Sequence, residues 1–195
     1  MNFTTGFARQ ILNSNEPNPG TPSRGELFLS FILCKDLADL FETGRAILRE
    51  TPVHKNLPSE TTLLTIQTIL NEFYSPDMFI PDNEYGQKPN WSVVLNFNKD
   101  NSRAAFQLYK ILRRNIISAT EMPKALKSRN KEFFLENFDY MFADLPFKDL
   151  VSEFKNFIAS DDVSLENQEF IWDFIDSLVS LINDDQENIQ TIEKL

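Results

Sequence analysis

Ser164-Leu-Glu-Asn-Gln-Glu-Phe-Ile-Trp-Asp-Phe-Ile-Asp-Ser-Leu-Val-Ser-Leu-Ile182 is the most apolar long segment of the chain and holds one of its two tryptophans. Ser164 suits an N-cap, because its hydroxyl can accept from an otherwise unbonded backbone N–H of the first turn. Glu166 then sits where the helix dipole favours negative charge. The segment therefore reads as a helix about which the rest of the fold is organised. Phe170, Phe174 and Leu178 fall at i, i+4 and i+8 and are expected on its core face. Glu166, Glu169, Asp173 and Asp176 are expected on its polar side.

The same helical period recurs through most of the chain. Residues 25–50 read as one helix, buried on several sides, with a break expected near Gly44. Thr51-Pro52 ends it, because a residue before proline avoids the helical region. Ser59 caps a helix running to about Tyr74. Residues 76–90 hold three prolines and a glycine and read as irregular chain. Trp91-Ser-Val-Val-Leu-Asn-Phe97 is the one strand-like run, though a lone strand lacks a partner and a helix fits as well. Asp100 or Asn101 caps a helix to about Ser118, and a turn or two of helix follows over 120–128. Asn130 caps 131–143, an i, i+3, i+4, i+7 pattern covers 146–159, and a short polar helix closes the chain at 185–195.

These spans predict an all-α fold, a compact bundle of about seven or eight helices with short loops and at most one short strand, near 91–97. Residues 3–13 suggest a short helix with Phe3, Phe7 and Ile11 on one face. The Pro-rich stretch 14–23 would join it to the body, giving a mobile N-terminal segment (1–23) and a single helical domain (24–195).

Composition narrows the function classes. Net charge is −10, which disfavours indiscriminate attraction to nucleic acid or anionic lipid. With one cysteine, Cys34, no internal disulfide can form, and the chain reads as intracellular and cytoplasmic. No apolar run reaches the ~20 residues of a membrane span. The single histidine, His54, lies in a loop, and Cys34 lies among Phe31, Ile32, Leu33 and Leu37, so a Cys–His nucleophile pair is not expected. Two potential soft ligands are too few for zinc, and five scattered glycines make no phosphate loop. The expectation is a protein with no catalytic, metal or cofactor site.

The charges are distributed unevenly. Between residues 103 and 131 lie eight basic side chains, Arg103, Lys110, Arg113, Arg114, Lys124, Lys127, Arg129 and Lys131, against one acidic, Glu121. Residues 132–195 hold 16 acidic and 3 basic side chains. This basic belt either docks on the acidic third of the same molecule or meets an anion in trans, with nucleic-acid phosphate or another copy as candidates. The 18 phenylalanines have no polar handle and belong in a core or an interface. Phe133, Phe134, Phe138, Phe142, Phe147, Phe154 and Phe157 are candidates for a groove that receives a partner helix or strand.

One local pattern resembles a known family. Phe154-Lys-Asn-Phe-Ile-Ala-Ser-Asp-Asp-Val-Ser-Leu-Glu-Asn-Gln-Glu-Phe-Ile-Trp172 is similar to a segment of the regulator of G-protein signalling domains, with Ile171 inserted between the two aromatic residues. The resemblance implies that Ser164, Glu166 and Asn167 would touch a Gα subunit. The readings carried forward are a non-enzymatic interaction or self-assembly protein, a nucleic-acid-binding structural protein using the belt, and a G-protein regulator.

Overall fold

A capping box opens the longest helix. The Ser23 hydroxyl accepts from Glu26 N–H at 3.1 Å, and the Glu26 carboxylate accepts from Ser23 N–H at 3.0 Å. Helix α1, Arg24–Glu50, runs unbroken past Gly44. Gly44 marks a close approach: a Cβ there would lie 2.9 Å from the Phe154 ring. The computed structural model describes residues 20–82, 86–145 and 148–195, so the expectations for residues 1–19, and for Phe147, lie outside the described residues.

Helix α2, Glu60–Asn71, is capped by Ser59, whose hydroxyl accepts from Thr62 N–H. A 3-10 turn, Pro76–Met78, leads into β1, Phe79–Asp82, which pairs antiparallel with β2, Gly86–Pro89. The stretch read as irregular is thus a two-stranded ribbon, with Phe79 opposite Pro89 and Asp82 opposite Gly86. Both strands are edges, and an edge tolerates proline where a central strand does not. Trp91–Asn96 is a short helix, α3, so the strand of this fold is not at 91–97.

Asn98 caps α4, Lys99–Ser118, two residues before the expected start. Then follow α5, Met122–Lys127, and α6, Lys131–Met141, the latter capped by Asn130. The expected helix over 146–159 is divided into α7, Lys148–Ser152, a 3-10 turn, Glu153–Lys155, and α8, Asn156–Ala159. Helix α9, Leu165–Asn183, is capped by Ser164, and α10, Asp185–Glu193, closes the chain. The fold is all-α, as expected, and carries one short ribbon that was not.

Helix α1 is the hub. It packs on α2, α3, α4, α9 and α10, and 14 of its 27 residues are buried. Helix α9 is the second layer, against α1, α4 and α5. Its core face is rotated from the expected one: Ile171, Trp172, Ile175, Leu178, Val179 and Ile182 are buried, Phe174 is half-buried and Phe170 is exposed. The Trp172 ring packs 4.9 Å from Phe134, between centroids.

Candidate functional surfaces

Of the rings expected to line a partner groove, the described ones are mostly interior. Phe134, Phe138, Phe142, Phe154 and Phe157 are buried, and Phe133 is half-buried. They are consumed by one another and by their neighbours: Phe134–Phe138 at 5.2 Å, Phe138–Phe142 at 5.0 Å, Phe154–Phe157 at 4.9 Å and Phe41–Phe154 at 5.3 Å. Tilted and edge-on rings at these distances are ordinary core packing.

The basic belt is divided. Arg113 donates through Nε to Asp185, and the Tyr109 hydroxyl donates to the same carboxylate oxygen at 2.5 Å. Asp185 is 1% exposed and is the first residue of α10, where a negative charge also faces the positive helix end. Burial, together with the hydrogen bond to Asp185, pushes the Tyr109 hydroxyl's pKa upward. Arg114 reaches Asp144 at 2.8 Å. Arg129 reaches Glu169 at 3.1 Å and also Asp173, with its guanidinium 5.5 Å above the Trp172 ring. The Lys110 ammonium lies 5.3 Å from the Phe106 ring, itself buried. Much of the charge asymmetry is therefore met inside the molecule.

Arg129 is held in an unusual backbone position. Its φ is 54°, a left-handed conformation that costs a non-glycine residue roughly 1 kcal/mol. Asn130 N–H donates to Ala125 C=O at 2.8 Å and Arg129 N–H to Leu126 C=O at 3.2 Å. This pair of bonds is the Schellman ending of a helix, whose left-handed position is usually glycine. Here an arginine takes it, and its side chain is aimed at α9.

Arg103, Lys124, Lys127 and Lys131 are exposed and pair with no described acidic side chain. Lys124 and Lys127 share one face of α5, and Lys131 begins α6. Arg103 stands near the opposite end of α4, some 20 Å away along a helix rising ~1.5 Å per residue. The structure groups the three lysines and leaves Arg103 apart.

Two features were not anticipated. The first is the outer face of α9, where Leu165 is 79% and Phe170 56% exposed, beside Glu166, Glu169 and Asp173. The second is a cavity of about 630 Å³ between α1, β2 and the C-terminal helices, with Asp36 in its wall. Burial pushes the Asp36 carboxyl up to about 6, with Lys35 opposing and Asp39 adding to the rise. The sequence did carry a sign of it: Phe28, Ile32 and Asp36 recur at i, i+4 and i+8, placing a carboxylate on an apolar stripe.

Ser164 and Asn167, the residues of the G-protein-regulator resemblance, have local partners. The Ser164 hydroxyl accepts from Asn167 N–H at 3.2 Å, and the Asn167 side chain donates to Glu50 at 3.3 Å. Cys34 is buried, and burial raises its thiol pKa. His54 is hydrogen-bonded through Nε2 to the Leu48 carbonyl at 2.7 Å. Among the described residues no three His, Cys, Asp or Glu side chains gather as a metal site, and no helix is long and apolar enough to cross a membrane. Comparison with protein families, curated proteins and solved structures found no match.

Proposed function

We propose that this protein is a non-enzymatic helical interaction protein that associates with further copies of itself through the outer face of α9. The observation that carries the reading is the exposure of Phe170 and Leu165 in the first two turns of a helix whose other face is core. Charge layout supports a second copy as the occupant. Glu169 and Asp173 abut the segment bearing Lys124, Lys127 and Lys131, with Arg129 bridging the border. Adjacent patches of opposite sign are self-complementary under a two-fold rotation, which lays the lysines of one copy on the carboxylates of the other. Phe170 and Leu165 would supply the apolar contact within that rim.

The two other readings have less support. A nucleic-acid track needs contiguous free cations, yet Arg113, Arg114 and Arg129 have acidic partners in the same molecule and Arg103 stands apart. The G-protein-regulator residues Ser164 and Asn167 are occupied in capping α9 and in holding Glu50.

Light scattering across a protein concentration series tests the proposal. The expected result is a mass that rises to that of a dimer, and falls back to a monomer when Phe170→Glu and Leu165→Glu are combined. A strict monomer at the highest attainable concentration overturns it, as does a dimer that the double variant leaves intact.

A further inference from the structure

We infer that the cavity between α1, β2 and the C-terminal helices is a binding site for an amphiphilic organic cation, an alkyl- or arylalkylammonium whose head meets Asp36 and whose tail lies along Ile32, Leu181 and Ile192. The inference is independent of self-association through α9.

The cavity has the size and character of a small-molecule site. Its volume of about 630 Å³ falls inside the ~300–1,000 Å³ range of ligand pockets, which are mostly apolar with a few placed polar groups. Phe28, Leu29 and Ile32 of α1 form one wall, and Leu181 of α9 and Ile192 of α10 form the other. Asp36, one turn beyond Ile32, is the only charged side chain among the described lining residues.

The electrostatics select the ligand's charge. Asp36 has no ion pair or hydrogen bond with a described residue. Its neighbour Lys35 is paired with Asp39, at 3.0 Å, and its charge offsets only part of the effect of burial on Asp36. A carboxylate in an apolar wall without a directly paired cation is disfavoured, and the cost is reduced by a cation that brings its own apolar surface. An anion would be repelled. A neutral apolar ligand would fill the space but leave the carboxylate unmatched. A bare metal ion would find a single acidic ligand where it needs several. Gln87 of β2 and Asn188 of α10 also line the cavity and can accept the remaining ammonium N–H bonds through their amide oxygens.

The test uses three probes of equal length and different charge, hexylammonium, 1-hexanol and hexanoate, titrated into the full chain at neutral pH and followed by amide NMR. Hexylammonium is expected to shift the amides of Ile32, Leu181 and Thr191 and to bind at least about tenfold more tightly than 1-hexanol. Hexanoate is expected not to bind. Asp36→Asn removes the preference for the cation, and Asp36→Glu retains it. Thr191→Trp, on the exposed side of α10 at the cavity mouth, blocks all binding. Equal affinity for hexylammonium and hexanol, no binding of either, or a preference that survives Asp36→Asn in a variant with an intact thermal transition overturns the inference.

Discussion

Two carboxylates near α10 have been taken from water on different terms. Asp185 is almost wholly buried and receives hydrogen bonds from both Tyr109 and Arg113. Asp36, in the fourth turn of α1, borders a cavity and receives none from a described residue, and its pKa rises to about 6. The first is a structural contact whose desolvation is offset by donors and an opposite charge. The second weakens the fold wherever it is ionised. A destabilising charge beside a cavity is the kind of local inconsistency that marks a site serving something other than stability.

Breaking the satisfied carboxylate has the largest expected effect. Asp185→Ala leaves the buried Tyr109 hydroxyl without its acceptor and removes the partner of Arg113, and a loss of about 3 kcal/mol is expected in urea denaturation. A loss below about 1 kcal/mol would place Asp185 with surface charges instead.

The unsatisfied carboxylate is expected to behave in the opposite sense. Its pKa in the folded protein lies above the ordinary 3.8, so between pH 4 and 6 the native state holds a proton that the unfolded chain has released. The stability from protonated Asp36 is complete below about pH 4 and is lost as pH rises through about 6. Asp36→Asn, which cannot ionise, is expected to raise stability by on the order of 1 kcal/mol at pH 7.5 and to change little at pH 4. Thermal melts at the two pH values check this, with Lys35 and Asp39 unchanged in both proteins.

The exposed rim gives the smallest effect. Arg129 pairs with Glu169 and Asp173 at a surface where such pairs contribute ~0–1 kcal/mol. Its left-handed backbone favours glycine, so Arg129→Gly is expected to be near neutral. Arg129→Ala, which keeps the strain and loses the pair, is expected to be about 1 kcal/mol less stable than Arg129→Gly. Equilibrium denaturation of the two variants side by side separates backbone strain from charge.

How far the sequence could be read follows from the same physics. Helix spans and several caps were legible because they depend on local bonds: Ser59, Asn130 and Ser164 cap as expected. The ribbon was not, since its prolines are tolerated only because both strands are edges. Trp91–Asn96 has a β-branched run, yet its only described setting is a helix after Asn90, and tertiary context outweighs so weak a propensity. In α9, Phe170-Ile-Trp-Asp-Phe-Ile offers two apolar stripes 100° apart, and periodicity alone does not choose between them. The belt was visible as composition, but which arginines found partners depended on residues 30 to 72 positions away.

The hub helix is enclosed by the last element described. Helix α10 packs against α1 so closely that a Cβ on Gly25 would meet the Glu193 side chain at 2.5 Å. On the ribosome, α1 emerges first and α10 last of the described helices. At ordinary synthesis rates of 5–20 residues per second, the N-terminal half of α1 waits roughly ten to thirty seconds for that cover. During this interval Phe28 and Leu29 are without part of their enclosure. Docking of α10 on α1 is therefore a late step in the folding of the nascent chain, and part of the apolar face of α1 stays uncovered until it occurs.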